Sequence, residues 1–129
     1  MVIGFNKQFP DKITAGTKKH TIREDVHNRW HAGMTMHMAI GVRTKNYNCF
    51  KLDTCKSTQK ITIIHYPHKA SVYIDDKLLG HWSKTFEITY YQKLNQLAKN
   101  DGFDSTADLF KWFDKNFTGK IIHWTDLHY

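Results

Sequence analysis

The sequence predicts a small α+β domain, pictured as a β-barrel with flanking helices. Segments of alternating apolar and polar residues fill the first two thirds of the chain, segments with helical spacing follow, and a last strand pattern lies close to residue 129. Short strands that each bury one face need a second layer or closure of the sheet, and a small barrel covered by helices meets that need. The pattern alone does not fix the topology. The length suits one domain with a core of its own.

Each early element has its own signal. A short helix is expected over Phe9–Ala15, because Pro10 suits a first helical turn and Gly16 suits the stop. Alternating polarity predicts strands over Lys19–Glu24, Met34–Val42, Gln59–His65 and Ser71–Ile74. The pair Asp75-Asp76 then reads as a turn.

The last third changes from strand spacing to helical spacing. A helix is expected over Ile88–Asn100, with an apolar face made by Tyr91, Leu94, Leu97 and Ala98. Ser105, followed by Asp108 three positions later, resembles a capping box and predicts the start of a second helix. Gly119 precedes a final strand over Lys120–Trp124.

Composition narrows the classes of partner. A formal net charge of +7 and 14% aromatic residues favour a polyanionic or nucleotide ligand. Two cysteines, Cys49 and Cys55, are too few for a disulfide framework. No apolar stretch is long enough to span a membrane and no signal peptide is visible, so a cytoplasmic protein with no membrane partner is expected.

The segment Gly16–Arg23 holds the densest set of reactive residues. It brings Lys18, Lys19 and Arg23 together with two threonine hydroxyls directly after the predicted helix stop. In a strand, Lys19, Thr21 and Arg23 share one face. Lys18 is out of phase with Thr21 and reaches the same cleft only if the chain turns near it, as Gly16 permits.

This segment resembles the G-x-K-x-x-[ET]-x-R signature of ASCH domains, relatives of the PUA RNA-binding fold. Gly16, Lys18, Thr21 and Arg23 meet the signature, and Trp30 to Gly33 matches a W-x-x-G that follows it. Downstream, the residues from Ala98 to Phe103 resemble the family's A-x-x-[ED]-G-F, which precedes a helix. The resemblance spans roughly residues 9 to 125 and implies a PUA-like fold.

The resemblance also implies functions. ASCH domains are mostly assigned RNA-related roles, while a bacterial branch hydrolyses N4-acetylcytidine with a Lys, a Thr and a Glu. Those residues fall on Lys18, Thr21 and Asp101, and the last is a departure, because Asp is one methylene shorter than Glu. Thr21 would attack the amide, Lys18 with a lowered pKa would act as base, and Asp101 would protonate the leaving nitrogen. Arg23 would stabilise the oxyanion or hold a carboxylate in place.

Further residues are candidates for ligand contact. Trp30 lies near the signature and is the tryptophan best placed to stack on a base, whereas Trp112 is expected in the core. A predicted loop between two strands carries two cations and an aromatic residue, namely Arg43, Lys45 and Tyr47. Such a loop could contact phosphate and stack on a base, or it could simply be solvated without binding anything. Nine histidines show no zinc spacing, so no metal and no cofactor are expected.

Two function classes stay open at this point. The favoured hypothesis is a module that binds RNA or a modified nucleoside or nucleotide in a basic cleft, with Gly16 and Lys19 among its contacts. The alternative is an amidohydrolase that cleaves an acylated cytidine through Lys18, Thr21 and Asp101, or a ribonuclease that uses the same cleft. The oligomeric state is not determined by the sequence, and a monomer is the working expectation.

Overall fold

A computed structural model describes residues 1–129 and gives nine strands and three short helices. In chain order the elements are β1 (Val2–Gly4), α1 (Pro10–Thr14), β2 (His20–Arg23), β3 (Thr35–Ile40), β4 (Asn48–Thr54), β5 (Ser57–His65), β6 (Lys69–Ile74), β7 (Lys77–Ser83), β8 (Ile88–Tyr90), α2 (Gln92–Asn100), α3 (Thr106–Trp112) and β9 (Phe117–His123). The α+β class is confirmed. None of the helices has the length and apolar character needed to cross a membrane.

The strands form two open sheets instead of one closed barrel. The first sheet has the order β1-β3-β4, and the second has the order β2-β9-β5-β6-β7-β8. β1 is parallel to β3, and all other neighbouring strands are antiparallel. A bulge between Met38 and Ala39 shifts the register of β3, so both of these adjacent residues are buried.

One apolar core joins the two sheets and the three helices. Met36 and Met38 enter it from the first sheet, and Ile61 and Ile63 enter it from the second. The helices contribute fully or nearly fully buried side chains, namely Ile13, Leu94, Leu97, Ala98, Leu109 and Phe110. Burying one leucine, isoleucine or phenylalanine side chain stabilises the fold by about 2 kcal/mol.

The structure corrects one predicted helix. Residues Ile88–Tyr90 form strand β8, paired with β7, and α2 begins only at Gln92. Tyr91 has a φ of 75°, a left-handed conformation that ends the strand before the helix starts, and its side chain is exposed and not on the apolar face. Ile88 and Thr89 are β-branched, which favours the extended conformation.

Other boundaries differ less. The predicted strand at Lys19 begins at His20, and the predicted loop at Arg43–Asn48 ends at Asn48, where β4 begins. β1, β4 and β7 lie where the pattern defined no strand, and the last strand begins at Phe117, so Gly119 lies inside it. Ser105 caps α3 as predicted, because its side chain accepts a hydrogen bond from the Asp108 N–H at 3.2 Å.

Candidate functional site

The chain turns sharply between α1 and β2, and this turn aims Lys18 inward. Gly16 has a φ of +82°, which glycine adopts without strain. The N–H groups of Thr17 and Lys18 both donate to the carbonyl of Lys12, at 2.9 and 3.0 Å. Lys18 therefore lies before the strand and is almost fully buried, while Lys19 stays exposed.

A second turn brings Asp101 to the same place. At the end of α2, Phe103 N–H donates to the Ala98 carbonyl and Gly102 N–H donates to the Lys99 carbonyl, which is the hydrogen-bond pattern of a Schellman motif. Gly102 supplies the left-handed φ of +94° that the motif requires. The turn therefore both ends the helix and places the Asp101 side chain inside the protein.

Lys18, Thr21, Arg23 and Asp101 border one cavity of about 430 Å³. This volume lies within the range of about 300–1,000 Å³ typical of small-molecule sites. A backbone hydrogen bond of 2.7 Å from Lys19 N–H to the Asn100 carbonyl ties the two segments together. The rest of the wall is rich in aromatic rings, from Phe5, Phe9, Phe103, Trp112 and Phe113.

The Lys18 ammonium has few solvent contacts and several protein contacts. Nζ donates to the Asp101 backbone carbonyl at 2.5 Å, lies 3.5 Å from Asp101 Oδ1 and sits 4.6 Å from the centre of the Phe9 ring. Burial lowers the pKa of Lys18 to about 8, with the positive charge of Arg23 acting in the same direction and Asp101 opposing it. Burial therefore makes the neutral, proton-accepting form of Lys18 more accessible at pH 7 than it is in an exposed lysine.

Asp101 belongs to a buried polar network that the sequence did not suggest. His20 Nδ1 lies 2.9 Å from Asp101 Oδ1, and His20 Nε2 lies 2.7 Å from the Tyr129 hydroxyl. Asn100 Nδ2 donates to that same hydroxyl at 3.1 Å. Burial lowers the pKa of His20 below its usual range, so the ring is neutral at pH 7. The only available signal was the position of His20 inside the Gly16–Arg23 segment.

Arg23 and Thr21 share one face of β2 and touch each other. Arg23 Nε donates to Thr21 Oγ1 at 3.2 Å, and the Arg23 guanidinium also donates to the Gly4 carbonyl at 2.5 Å. The guanidinium carbon lies 5.0 Å from the centre of the Phe5 ring. Arg23 is thus held against the cavity by three contacts.

Trp112 is the tryptophan of this cavity, although the sequence placed it in the core. Its side chain is 47% exposed, and its ring centre lies 5.7 Å from those of Phe9 and Phe103. Trp30, the predicted stacking residue, is buried at 8% exposure and lies outside the 430 Å³ cavity. Leu109 and Phe110 use the inward face of α3, which leaves Trp112 at the rim.

The remaining predicted contact residues lie apart from the 430 Å³ cavity. Gly16 and Lys19 border a polar depression together with Lys12 and Lys99, and this depression shares Phe103 with the cavity. Trp30, Arg43 and Tyr47 border a third depression, which shares Val42 with the cavity. Lys45 is exposed in the loop and borders neither of the two depressions.

The histidines and cysteines take other roles. No group of three His, Cys, Asp or Glu side chains comes together in a way that could hold a metal ion. His65 Nε2 lies 2.7 Å from the Phe113 carbonyl and its ring packs on Phe110. Cys49 and Cys55 are unpaired thiols, the first exposed and the second buried.

Comparisons with known proteins give no independent assignment. No protein-family model matches the chain. No curated protein and no solved structure matches it either.

Proposed function

We propose that the chain is an ASCH-type domain that binds a modified nucleoside, free or as part of RNA, in the Lys18 cavity. One observation carries the proposal: the signature residues Lys18, Thr21 and Arg23 and the distant Asp101 border one cavity of nucleoside-compatible volume with aromatic walls. Aromatic faces stack on bases, and buried polar groups fix the orientation of a ligand. Under this proposal the two open sheets and their helices are a PUA-like fold.

The neighbouring depressions support a nucleotide within RNA as a ligand. Lys12, Lys19 and Lys99 flank the cavity through the shared residue Phe103, and Arg43 and Tyr47 flank it through Val42. A strand whose base enters the cavity would meet cations on either side. Affinity for a short single-stranded RNA should therefore fall steeply with salt, and Lys99→Ala should reduce the slope. Affinity for a free nucleoside should change little with salt.

A second candidate function, hydrolysis of an N-acylated cytidine, is favoured by the lowered pKa of Lys18. Neutral Lys18 takes the proton of Thr21 Oγ as that oxygen attacks the acyl carbon, and Arg23 faces the negative charge that develops. The C–N bond then breaks, and the Lys18 ammonium returns the proton to the leaving amine. Water, deprotonated by Lys18, cleaves the Thr21 ester, releases the carboxylic acid and restores the threonine hydroxyl.

The contacts of Asp101 favour a role other than protonation of the leaving nitrogen. Oδ1 faces the Lys18 ammonium at 3.5 Å and the His20 ring at 2.9 Å, both of which can donate hydrogen bonds. In this proposal Asp101 positions Lys18 chiefly through its backbone carbonyl, which accepts from Nζ at 2.5 Å, and Lys18 carries the proton in both directions.

Release of cytidine from N4-acetylcytidine, followed by chromatography, tests the second candidate. The parent should release cytidine and Lys18→Ala should not. Lys115→Ala is the control, because Lys115 is exposed, borders neither the cavity nor the two depressions, and should retain turnover when replaced. If the parent and both variants release nothing, the hydrolase candidate fails. If nucleosides and RNA also leave the protein unperturbed at low salt, the binding proposal fails with it.

A further inference from the structure

Two groups approach the same carboxylate oxygen of Asp101 at different distances. His20 Nδ1 is 2.9 Å from Oδ1, whereas Lys18 Nζ is 3.5 Å from it. The shorter distance is that of a good hydrogen bond, and the longer one is at its outer limit. All three side chains are nearly or fully buried, so these short contacts are little screened by bulk solvent.

The direction of the hydrogen bonds fixes the tautomer of His20. A neutral imidazole has one donor nitrogen and one acceptor nitrogen. The Tyr129 hydroxyl accepts from Asn100 Nδ2 and can donate its own proton to His20 Nε2. His20 Nδ1 then carries the proton and donates it to Asp101 Oδ1.

We propose that His20 is a positioning residue that holds Asp101 away from a full ion pair with Lys18, so that Lys18 can lose its proton inside the cavity. This inference rests on the proposed deacylation by Lys18 and Thr21. A carboxylate in direct contact with an ammonium stabilises its charged form, and a lysine held in that way is a poor base. His20 bonds Oδ1 at 2.9 Å, while Lys18 makes its short contact, 2.5 Å, with the Asp101 backbone carbonyl and only a long one, 3.5 Å, with Oδ1.

The other positive charges around Lys18 and Asp101 also favour the neutral form of Lys18. Arg23 and Lys12 both disfavour the charged form of Lys18, and neither contacts His20. His20 itself faces Asp101, Lys18, Tyr129 and His123. Asp101 is the one anion next to Lys18. Without the hydrogen bond from His20, its carboxylate would be free to turn toward the ammonium.

Three variants distinguish a positioning role of His20 from a role in packing alone. His20→Leu removes both ring nitrogens, whereas His20→Asn keeps a donor near the place of Nδ1. Tyr129→Phe removes only the hydroxyl that fixes the tautomer. We expect His20→Leu to raise the midpoint of the kcat/KM profile for N4-acetylcytidine by about one pH unit and to reduce the rate at pH 7 about tenfold. The midpoint for His20→Asn should lie near that of the parent, and the midpoint for Tyr129→Phe should lie between those of the parent and His20→Leu.

A titration of the Lys18 side chain by NMR gives a readout that needs no turnover. With the lysine Cε carbons labelled, His20→Leu should shift the Lys18 titration upward, and Tyr129→Phe should do so by less; the latter serves alone if the leucine variant does not fold. A lower rate with an unchanged Lys18 midpoint would overturn the inference, because it would indicate packing alone. If the parent is inactive but the midpoint rises, deacylation fails and the positioning role of His20 stands.

Discussion

Replacement of Lys18 with methionine should change how the stability of the protein depends on pH. Methionine fills a similar space without a charge, so the buried ammonium is lost and most of the packing is kept. The pKa of Lys18 is lowered from 10.5 to about 8, mainly by burial. At 1.36 kcal/mol per unit, this difference corresponds to about 3 kcal/mol that the folded state loses by holding a charged Lys18.

The sign of the pH dependence follows from the direction of the shift. Below pH 8 the folded and unfolded chains both bind the Lys18 proton, and the full cost is present. Between pH 8 and 10.5 the unfolded chain binds the proton and the folded chain does not, so stability rises with pH. Relative to Lys18→Met, the parent should gain about 2–3 kcal/mol in free energy of unfolding from pH 7 to pH 10.

Urea unfolding at pH 7, 8, 9 and 10 measures this gain. Constant losses in the variant, such as the missing contact with Asp101, cancel when only the slope against pH is compared. Lys45→Met is the control, because Lys45 is exposed in a loop, and its curve should run parallel to that of the parent. Parallel curves for Lys18→Met and the parent would refute the claim that burial perturbs Lys18.

Three further changes test the surrounding structure. Burial raises the pKa of Asp25, but hydrogen bonds from Lys120 and two backbone N–H groups outweigh it and bring the value to about 2. Asp25→Asn should therefore cost about 1–2 kcal/mol at pH 7, and the cost should disappear as the pH falls toward 2, as measured by urea unfolding. Gly102→Ala should destabilise more than Gly16→Ala in thermal unfolding. Both have positive φ, but an added Cβ at Gly102 meets two side chains at 3.0 Å and one at Gly16 meets nothing within 4 Å. Equal losses would contradict the crowding at Gly102. Ser105→Ala should cost about 1 kcal/mol through loss of the α3 cap, and an unchanged melting temperature would count against that cap.

Local chemistry made some features predictable from the sequence. Pro10 and Gly16 bracket the first helix, and Ser105 caps the third, because these residues act through their own backbone geometry or a contact three residues away. A shared site for Lys18 and Asp101 could be predicted only from the resemblance to a family motif. Their contact spans 83 positions, and no periodicity in the sequence reports such a distance.

Tertiary packing decided the features that were missed. Ile88 and Thr89 fit helical spacing as well as a strand, and pairing with β7 selected the strand. Trp112 has the hydrophobicity of a core residue, yet α3 packs through Leu109 and Phe110 and leaves Trp112 at the cavity rim. His20 gave no sign of its contact with Tyr129, which lies 109 positions away.

The most direct test of the central claim is an NMR titration of the unaltered protein, in which Lys18 is present to contact the ligand, with N4-acetylcytidine and, separately, with its deacylated product cytidine. Three of the four tryptophan indole N–H signals report on distinct places: Trp112 borders the Lys18 cavity, Trp30 borders the depression of Arg43 and Tyr47, and the half-buried Trp82 stacks on Phe110 away from both. A nucleoside bound in the cavity should shift the Trp112 signal with saturation and leave Trp82 unchanged. A shift of Trp30 alone, or of no tryptophan at millimolar nucleoside, would contradict the assignment of this cavity as the ligand site.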